Sequence, residues 1–272
     1  MRVLWACCVN LYLFIRAYLR NRVTYQILGD GEMEEESAEN SPPYFESITI
    51  EKDVMVNLKA FSKAHHYTVN DILMASLSMA TRAWNQGRGD RREWLKYGFT
   101  ANLRRWWGEP EGTFANYSAI LMHEETVENL EDMKTALAAT KSKMDRVKRY
   151  IGLDMFFALL QMRFTPYAVV KTVALRMKPK LFQLLRQMHA MTNIGIVFEE
   201  AGDFGHARAT GYSLLAPTFP GGCVVYTITT YKNVTTIYLG CSEDYLTRES
   251  AGQFLALWKK TLAEIGSPGF RP

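Results

Sequence analysis

His65 and His66 are adjacent, and Asp71 follows the second of them by five residues. An imidazole with a carboxylate near it is the equipment of a general base, provided the ring nitrogen comes within roughly 3 Å of the proton it takes. The neighbouring residues give the pair a plainer role. Thr68 stands three residues before Asp71, the spacing of a capping box with aspartate in place of the usual glutamate. The preceding run "KDVMVNLKAFSKAHH" places Val54, Leu58 and Phe61 at helical spacing. The histidines therefore close one helix, where the dipole favours them, just before Thr68 opens the next.

The remaining reactive side chains do not assemble into a site by spacing alone. His123, His189 and His206 are isolated, and no cysteine or carboxylate stands at a zinc-ligand interval, so no metal is expected. No serine lies in a Gly-x-Ser-x-Gly turn, and "FPGGCVV" (219–225) reads as a turn entering a strand. Cys223, among apolar strand residues, is expected to be an inert thiol. "GDFGH" (202–206) has no glycine-rich loop, strand lysine or HRD segment to make a kinase of it, and its glycines mark a turn.

Four cysteines in 272 residues make no disulfide framework. "CVVYTITTY" and "VTTIYLGC" read as a hairpin turning at Lys232-Asn233, with Tyr231 facing Val234. In that register Cys223 and Cys241 point to opposite faces and cannot bridge. Free thiols and a reducing, cytoplasmic setting are the expectation.

Composition is that of a globular protein, 48% hydrophobic and 22% charged with a formal net charge of +4. Residues 141–190 hold eleven Lys/Arg against two Asp/Glu, a stretch read first as a solvated helix face. It could also attract an anionic ligand, an acidic carrier protein or a membrane surface. Nothing resembles a nucleic-acid-binding module. The run Val3–Ile15 is apolar or nearly so but too short to span a bilayer, and no small-residue cleavage site follows it. It is expected to be a buried or partner-facing helix, or a membrane-surface helix through residues 3–19. Residues 1–28 thus form an N-terminal apolar helix, 29–44 an acidic exposed linker, and 45–266 the folded body.

Within that body "YFESITI" alternates as a strand with Phe45, Ile48 and Ile50 as its apolar members. From Ile72 to Trp84 apolar residues cover nearly the whole circumference of a helix, which makes it a buried one. "KYGFTANL" and "YSAILMH" read as strands flanking the loop "RRWWGEPEGTFAN". Three or four helices are expected over 126–188, broken near Ile151-Gly152 and at Pro166 and Pro179. "MTNIGIVFEE" is a further strand. "TRESAGQFLALWKKTLAEIG" is a closing helix, opened by Thr247 and ended by Gly266. The class is α/β, a mixed β-sheet flanked by helices.

Four of these segments, in this order, resemble motifs of the condensation-type acyltransferases. That superfamily includes nonribosomal peptide condensation domains, chloramphenicol acetyltransferase and wax-ester synthases. "YTVNDILMASLSMATRAWN" is similar to the family's "vTvNDvllaAl" helix, and "TANLRRWWGEPEGTFANYSA" to its "vnlR…GNy" strand–loop–strand. "MTNIGIVFEEAGDFG" is similar to its "TNiG" strand, and "VVYTITTYKNVTTIYLGCSEDYLTRESAGQFLALW" to its closing hairpin and helix.

The resemblance spans roughly residues 45–265 and implies the C-terminal lobe of the chloramphenicol acetyltransferase-like fold. The family's catalytic HHxxxDG belongs to the other lobe. Here the only histidine pair has its aspartate one place late and lacks the glycine, and Ala115-Asn116 stands for the family's Gly-Asn. The resemblance therefore implies an acyltransferase module without its own catalytic histidine. Its co-substrate would be an acyl-CoA or phosphopantetheinyl thioester. Its partners would be a chain bearing the HHxxxDG half and an acyl carrier protein. It points to Asn193 as an amide donor to a substrate carbonyl. Arg104 would hold a carboxylate or its own loop, while Asn116 and Asp203 would serve turns. The alternative is a non-catalytic module that binds an acyl chain, a carrier protein or a membrane surface.

Overall fold

A computed structural model describes residues 29–30, 42–90, 93–102, 118–164, 189–197, 205–218, 224–267 and 269–270. Their elements run β1 (Pro43–Ile50), α1 (Lys52–Ala64), α2 (Val69–Gly87), β2 (Trp94–Asn102), β3 (Ser118–Thr126), a 3-10 turn (Val127–Leu130), α3 (Met133–Phe164), β4 (His189–Ile196), β5 (Val225–Tyr231), β6 (Val234–Ser242) and α4 (Arg248–Ile265). The six strands form one mixed sheet in the order β1-β6-β5-β4-β2-β3. The β2–β4 and β4–β5 pairs are parallel, and the outer pairs are antiparallel. The expected α/β architecture is what forms.

Each face of the sheet has its own chemistry because side chains alternate along a strand. Phe99, Met191, Tyr226 and Leu239 lie in one row across four strands, and all are buried. Helices cover this row. The Tyr226 ring meets Trp258 of α4 edge-on at 5.3 Å, and Trp258 Nε1 donates to Ser76 Oγ of α2 at 2.8 Å. One residue along, the opposite face carries Thr192, Thr227 and Tyr238 in a polar row. Residues 205–218 run beside that row. The Ala216 N–H donates to Thr227 Oγ1 at 3.4 Å, and Tyr238 OH donates to Ser213 Oγ at 2.8 Å.

α2 is the central helix, with Ile72, Leu73, Met74, Ala75 and Leu77 all buried, as its all-round apolar pattern requires. Thr247 caps α4 by accepting from the Ser250 N–H, and Gly266 ends it. The hairpin turns where expected. Lys232 and Asn233 both have positive φ (48° and 64°), the type I′ geometry, and Tyr231 pairs with Val234. Val225 pairs with Gly240 in that register, while Cys223 lies outside the described residues.

Two expectations change. α3 is one helix of 32 residues that passes through Ile151-Gly152. Glycine in a helix interior costs only about 1 kcal/mol against alanine and does not by itself break the helix. In β1 the core residue is Tyr44, not Phe45, which sits on the other face opposite Gly240. The pattern misleads because Glu46 occupies a core-face position on this edge strand, where Arg248 reaches it at 3.1 Å.

Asp30, exposed at the start of the stretch read from sequence as a linker, is hydrogen-bonded to the head of α4. Its carboxylate accepts from the Thr247 N–H and hydroxyl, both 2.8 Å, from the Ser250 hydroxyl at 2.8 Å and from Arg88 at 3.1 Å. Residues 31–41 and the apolar helix expected over 1–28 lie outside the described residues.

Candidate functional site

The histidine pair takes the role its position implies. His65 is the C-cap of α1, its N–H bonded to Phe61 O at 3.0 Å. His66 adopts φ 58°, the left-handed residue that lets the chain turn, and both side chains are exposed. Asp71 is fully buried and already committed. It accepts from the Thr68 N–H at 2.7 Å while Thr68 Oγ1 accepts from the Asp71 N–H at 3.2 Å, and Lys148 of α3 pairs with it at 3.2 Å. The carboxylate that could have served an imidazole instead opens α2 and ties it to α3.

Asn193 is the one sequence-chosen site residue among those described; Arg104, Asn116 and Asp203 lie outside them. Its Nδ2 donates to Asn70 Oδ1 on the first turn of α2 at 2.7 Å, and its Oδ1 accepts from the Gly195 N–H at 2.9 Å. Gly195 has φ 78°, and the β4–β5 register shifts between Asn193 and Gly195. This is a bulge, and its side-chain amide holds it in place. Asn70 was not singled out by the sequence reading. Its signal was there, in the second residue of the helix whose cap was recognised, but only the fold brings β4 to it.

At the same level the sheet parts. β2 and β4 pair only from Tyr97–His189 to Phe99–Met191, and Thr100 and Thr192 then meet through their hydroxyls at 2.7 Å. Beyond them β2 continues against β3 to Asn102–Ser118, and β4 continues against β5 through the bulge. The opening lies at the carboxyl ends of two parallel strands, where ligands of α/β sheets characteristically bind. Ile194 and Ile196 on its β4 side are 47% and 53% exposed.

The isolated histidines also acquire neighbours. His123 and His189 flank Tyr97 in one cross-strand row, all three within the core. His123 Nε2 lies 3.8 Å from Glu125 Oε2. Glu125, fully buried, is held by Lys143 at 2.6 Å and Asn129 at 2.7 Å. Burial, reinforced by the Lys143 charge, pushes the imidazole down to about 3, so it is neutral at any working pH. A 2%-exposed imidazole under a helix holds structure and meets no substrate.

Lys143 and Lys148 belong to the basic stretch, and α3 aims both at buried carboxylates. Burial pushes the Cys241 thiol up to about 11, leaving it inert. Among the described residues no three His, Cys, Asp or Glu side chains could hold a metal. No described helix is long and apolar enough to cross a membrane.

No protein-family model matches the chain, and no curated protein matches its sequence. Its fold is found in solved structures. The epimerization domain from the third module of tyrocidine synthetase B superposes with a TM-score of 0.61 at 16% identity, over 92% of this chain and 54% of that one. SgcC5 from Streptomyces globisporus gives 0.63 at 12%, over 97% and 56%. A trichothecene 15-O-acetyltransferase from Fusarium sporotrichioides gives 0.62 at 11%, over 93% and 52%. The chain thus shares the fold of these three proteins and spans about half the length of each.

Proposed function

We propose that these residues form one lobe of a condensation-type acyltransferase, which moves an acyl group from a CoA or carrier-protein thioester to a hydroxyl or amine. The observation carrying this reading is the correspondence of nearly the whole chain with about half of each acyltransferase-like structure. In such a step the acceptor attacks the thioester carbonyl, a base takes its proton, and the carbon–sulfur bond breaks to release a thiol. The histidines described here are poor candidates for that base: His65 and His66 are exposed at a helix end, His206 is exposed in the irregular segment 205–218, and His123 and His189 are buried. The base therefore belongs to polypeptide beyond these 272 residues, whether contiguous with them or separate. On this reading the lobe contributes the wall of the substrate channel with Asn193 near the reacting carbonyl, while the resemblance assigns Arg104 to a carboxylate or its own loop and Asn116 and Asp203 to turns.

The test is coexpression with a chain bearing an HHxxxDG half. A stable complex that releases free thiol from an acyl thioester is the expected outcome. If the two chains neither associate nor consume thioester, the catalytic reading is lost, and the non-catalytic binding module replaces it.

A further inference from the structure

We infer that Gly29 and Asp30 form a releasable clasp, which fixes the polypeptide leading into them to the junction of α2 and α4 and opens without unfolding the body. The inference is independent of the acyl-transfer reading. Five hydrogen bonds close the clasp. The Asp30 N–H donates to Tyr245 O at 3.0 Å, and the Asp30 carboxylate accepts from the Thr247 N–H and hydroxyl, the Ser250 hydroxyl and Arg88. Gly29 makes the fit selective. A Cβ there would lie 2.3 Å from Tyr245 O and 3.1 Å from the Tyr245 ring. A backbone carbonyl cannot yield to such a contact, so only glycine lets Asp30 come down onto the head of α4.

The seat is complete without its occupant. Thr247 caps α4 by accepting from the Ser250 N–H at 3.3 Å, a bond that does not depend on Asp30. The Arg88 guanidinium lies 3.5 Å over the Trp84 ring, and Trp84 meets Phe254 of α4 edge-on at 5.7 Å. The contact of α2 with α4 therefore places the guanidinium, and the carboxylate does not. The clasp itself adds polar bonds at the solvent edge, where the Arg88 and Asp30 side chains are 30% and 25% exposed. Water replaces such bonds at small net cost, whereas opening the core beneath would expose Ala251, Phe254 and Trp258. The clasp is the weaker of the two and opens first. Asn70 in the first turn of α2 meets Asn193, and Arg88 caps the last turn about 27 Å away at 1.5 Å per residue. The incoming polypeptide can thus detach at one end of α2 while the bulge at the other end stays in place.

Native-state amide hydrogen exchange on the full chain tests the clasp. Thr247, as the N-cap, has no helical acceptor for its N–H, so its amide and that of Asp30 both report closure. Both should exchange at least about 100-fold faster than the amides of Phe254 and Trp258. Asp30→Asn should quicken both about fivefold. Gly29→Ala should strip both of protection, while Phe254 and Trp258 stay protected by at least about 1,000-fold. Protection of Asp30 and Thr247 equal to that of the core in the native chain would make the segment part of the cooperative body and overturn the inference. So would an Asp30 amide that keeps its protection in Gly29→Ala, or a core that loses its own along with it.

Discussion

The side-chain amide of Asn193 donates a 2.7 Å hydrogen bond to Asn70 Oδ1, fastening the bulge of β4 to the first turn of α2. Through Thr68 and Asp71 that turn is also fastened to α3. The bulge, the open end of the sheet and the buried helix are therefore one mechanical unit. Asn193→Ala removes this bond and the one to the Gly195 N–H, and should destabilise the chain by about 2 kcal/mol; Asn70→Ala should cost about 1. Urea denaturation of the two single variants and the double should give a coupling of about 1 kcal/mol. Strict additivity would mean that the pair does not act together.

The buried charges between β3 and α3 make a second prediction. Lys143→Met strands the Glu125 carboxylate in the core and should cost about 3 kcal/mol, reduced from larger values for fully buried pairs because Lys143 is partly exposed. Adding Glu125→Gln to that variant should recover much of the loss. If the double variant is no more stable than Lys143→Met, the stranded charge is not the cause.

His123 carries a pH dependence whose sign follows from its depressed value of about 3. The unfolded chain takes up a proton below about 6.5, whereas the folded chain does not until far lower, so stability falls as pH drops through that window. One such group sets a slope approaching about 1.4 kcal/mol per pH unit. Denaturation midpoints between pH 6.5 and 4 should fall more gently for His123→Gln, once its own loss at neutral pH is subtracted.

His66 bears on the function directly. At φ 58° a histidine is held where glycine is more at ease, so His66→Gly should leave stability unchanged or raise it by up to about 1 kcal/mol. It should also leave thioester consumption by the two-chain complex intact. Loss of turnover in a folded His66→Gly complex would restore His66 as a catalytic candidate and end the reading of a missing base.

Asp30 joins the N-terminal side of the chain to the start of α4. Burial raises its carboxyl, but the hydrogen bonds from Thr247, Ser250 and Arg88 outweigh that and leave it below the ordinary aspartate range. Its stabilisation is present above the unfolded value near 4 and disappears as pH falls through the lowered folded value. Asp30→Asn should cost about 1 kcal/mol at neutral pH, and the difference from the native chain should shrink in acid. A difference independent of pH would mean that the carboxylate's charge contributes nothing.

Much of the fold was legible because its signals are local. The Thr68–Asp71 capping box, the Thr247 cap and the Lys232-Asn233 turn each involve residues within three positions of one another, where backbone sterics and hydrogen bonding act without tertiary help. α2 could be recognised as buried for the same reason, from the angular spread of its own side chains. One mistake arose where a distant partner decides, the other where a local signal is weak. Glu46 disguises the alternation of β1 because Arg248, some two hundred residues away, takes its charge, and Gly152 fails to break α3 because glycine's cost is small against the rest of a long helix.

By itself the sequence determined the order and type of most of the elements, the junction at His65–His66, the hairpin register, and the expectation that no base resides in the pair. Local propensity and periodicity suffice for those. Only the tertiary structure decided that Asp71 serves Lys148, that Glu125 lies beside His123 and Lys143, and that Asn193 meets Asn70 where β2 and β4 separate. Apart from His123 and Glu125, two positions apart on β3, these contacts join residues 18 to 123 positions apart in the chain. Their geometry follows from the sheet order and from helices packing over one face, which no local pattern encodes.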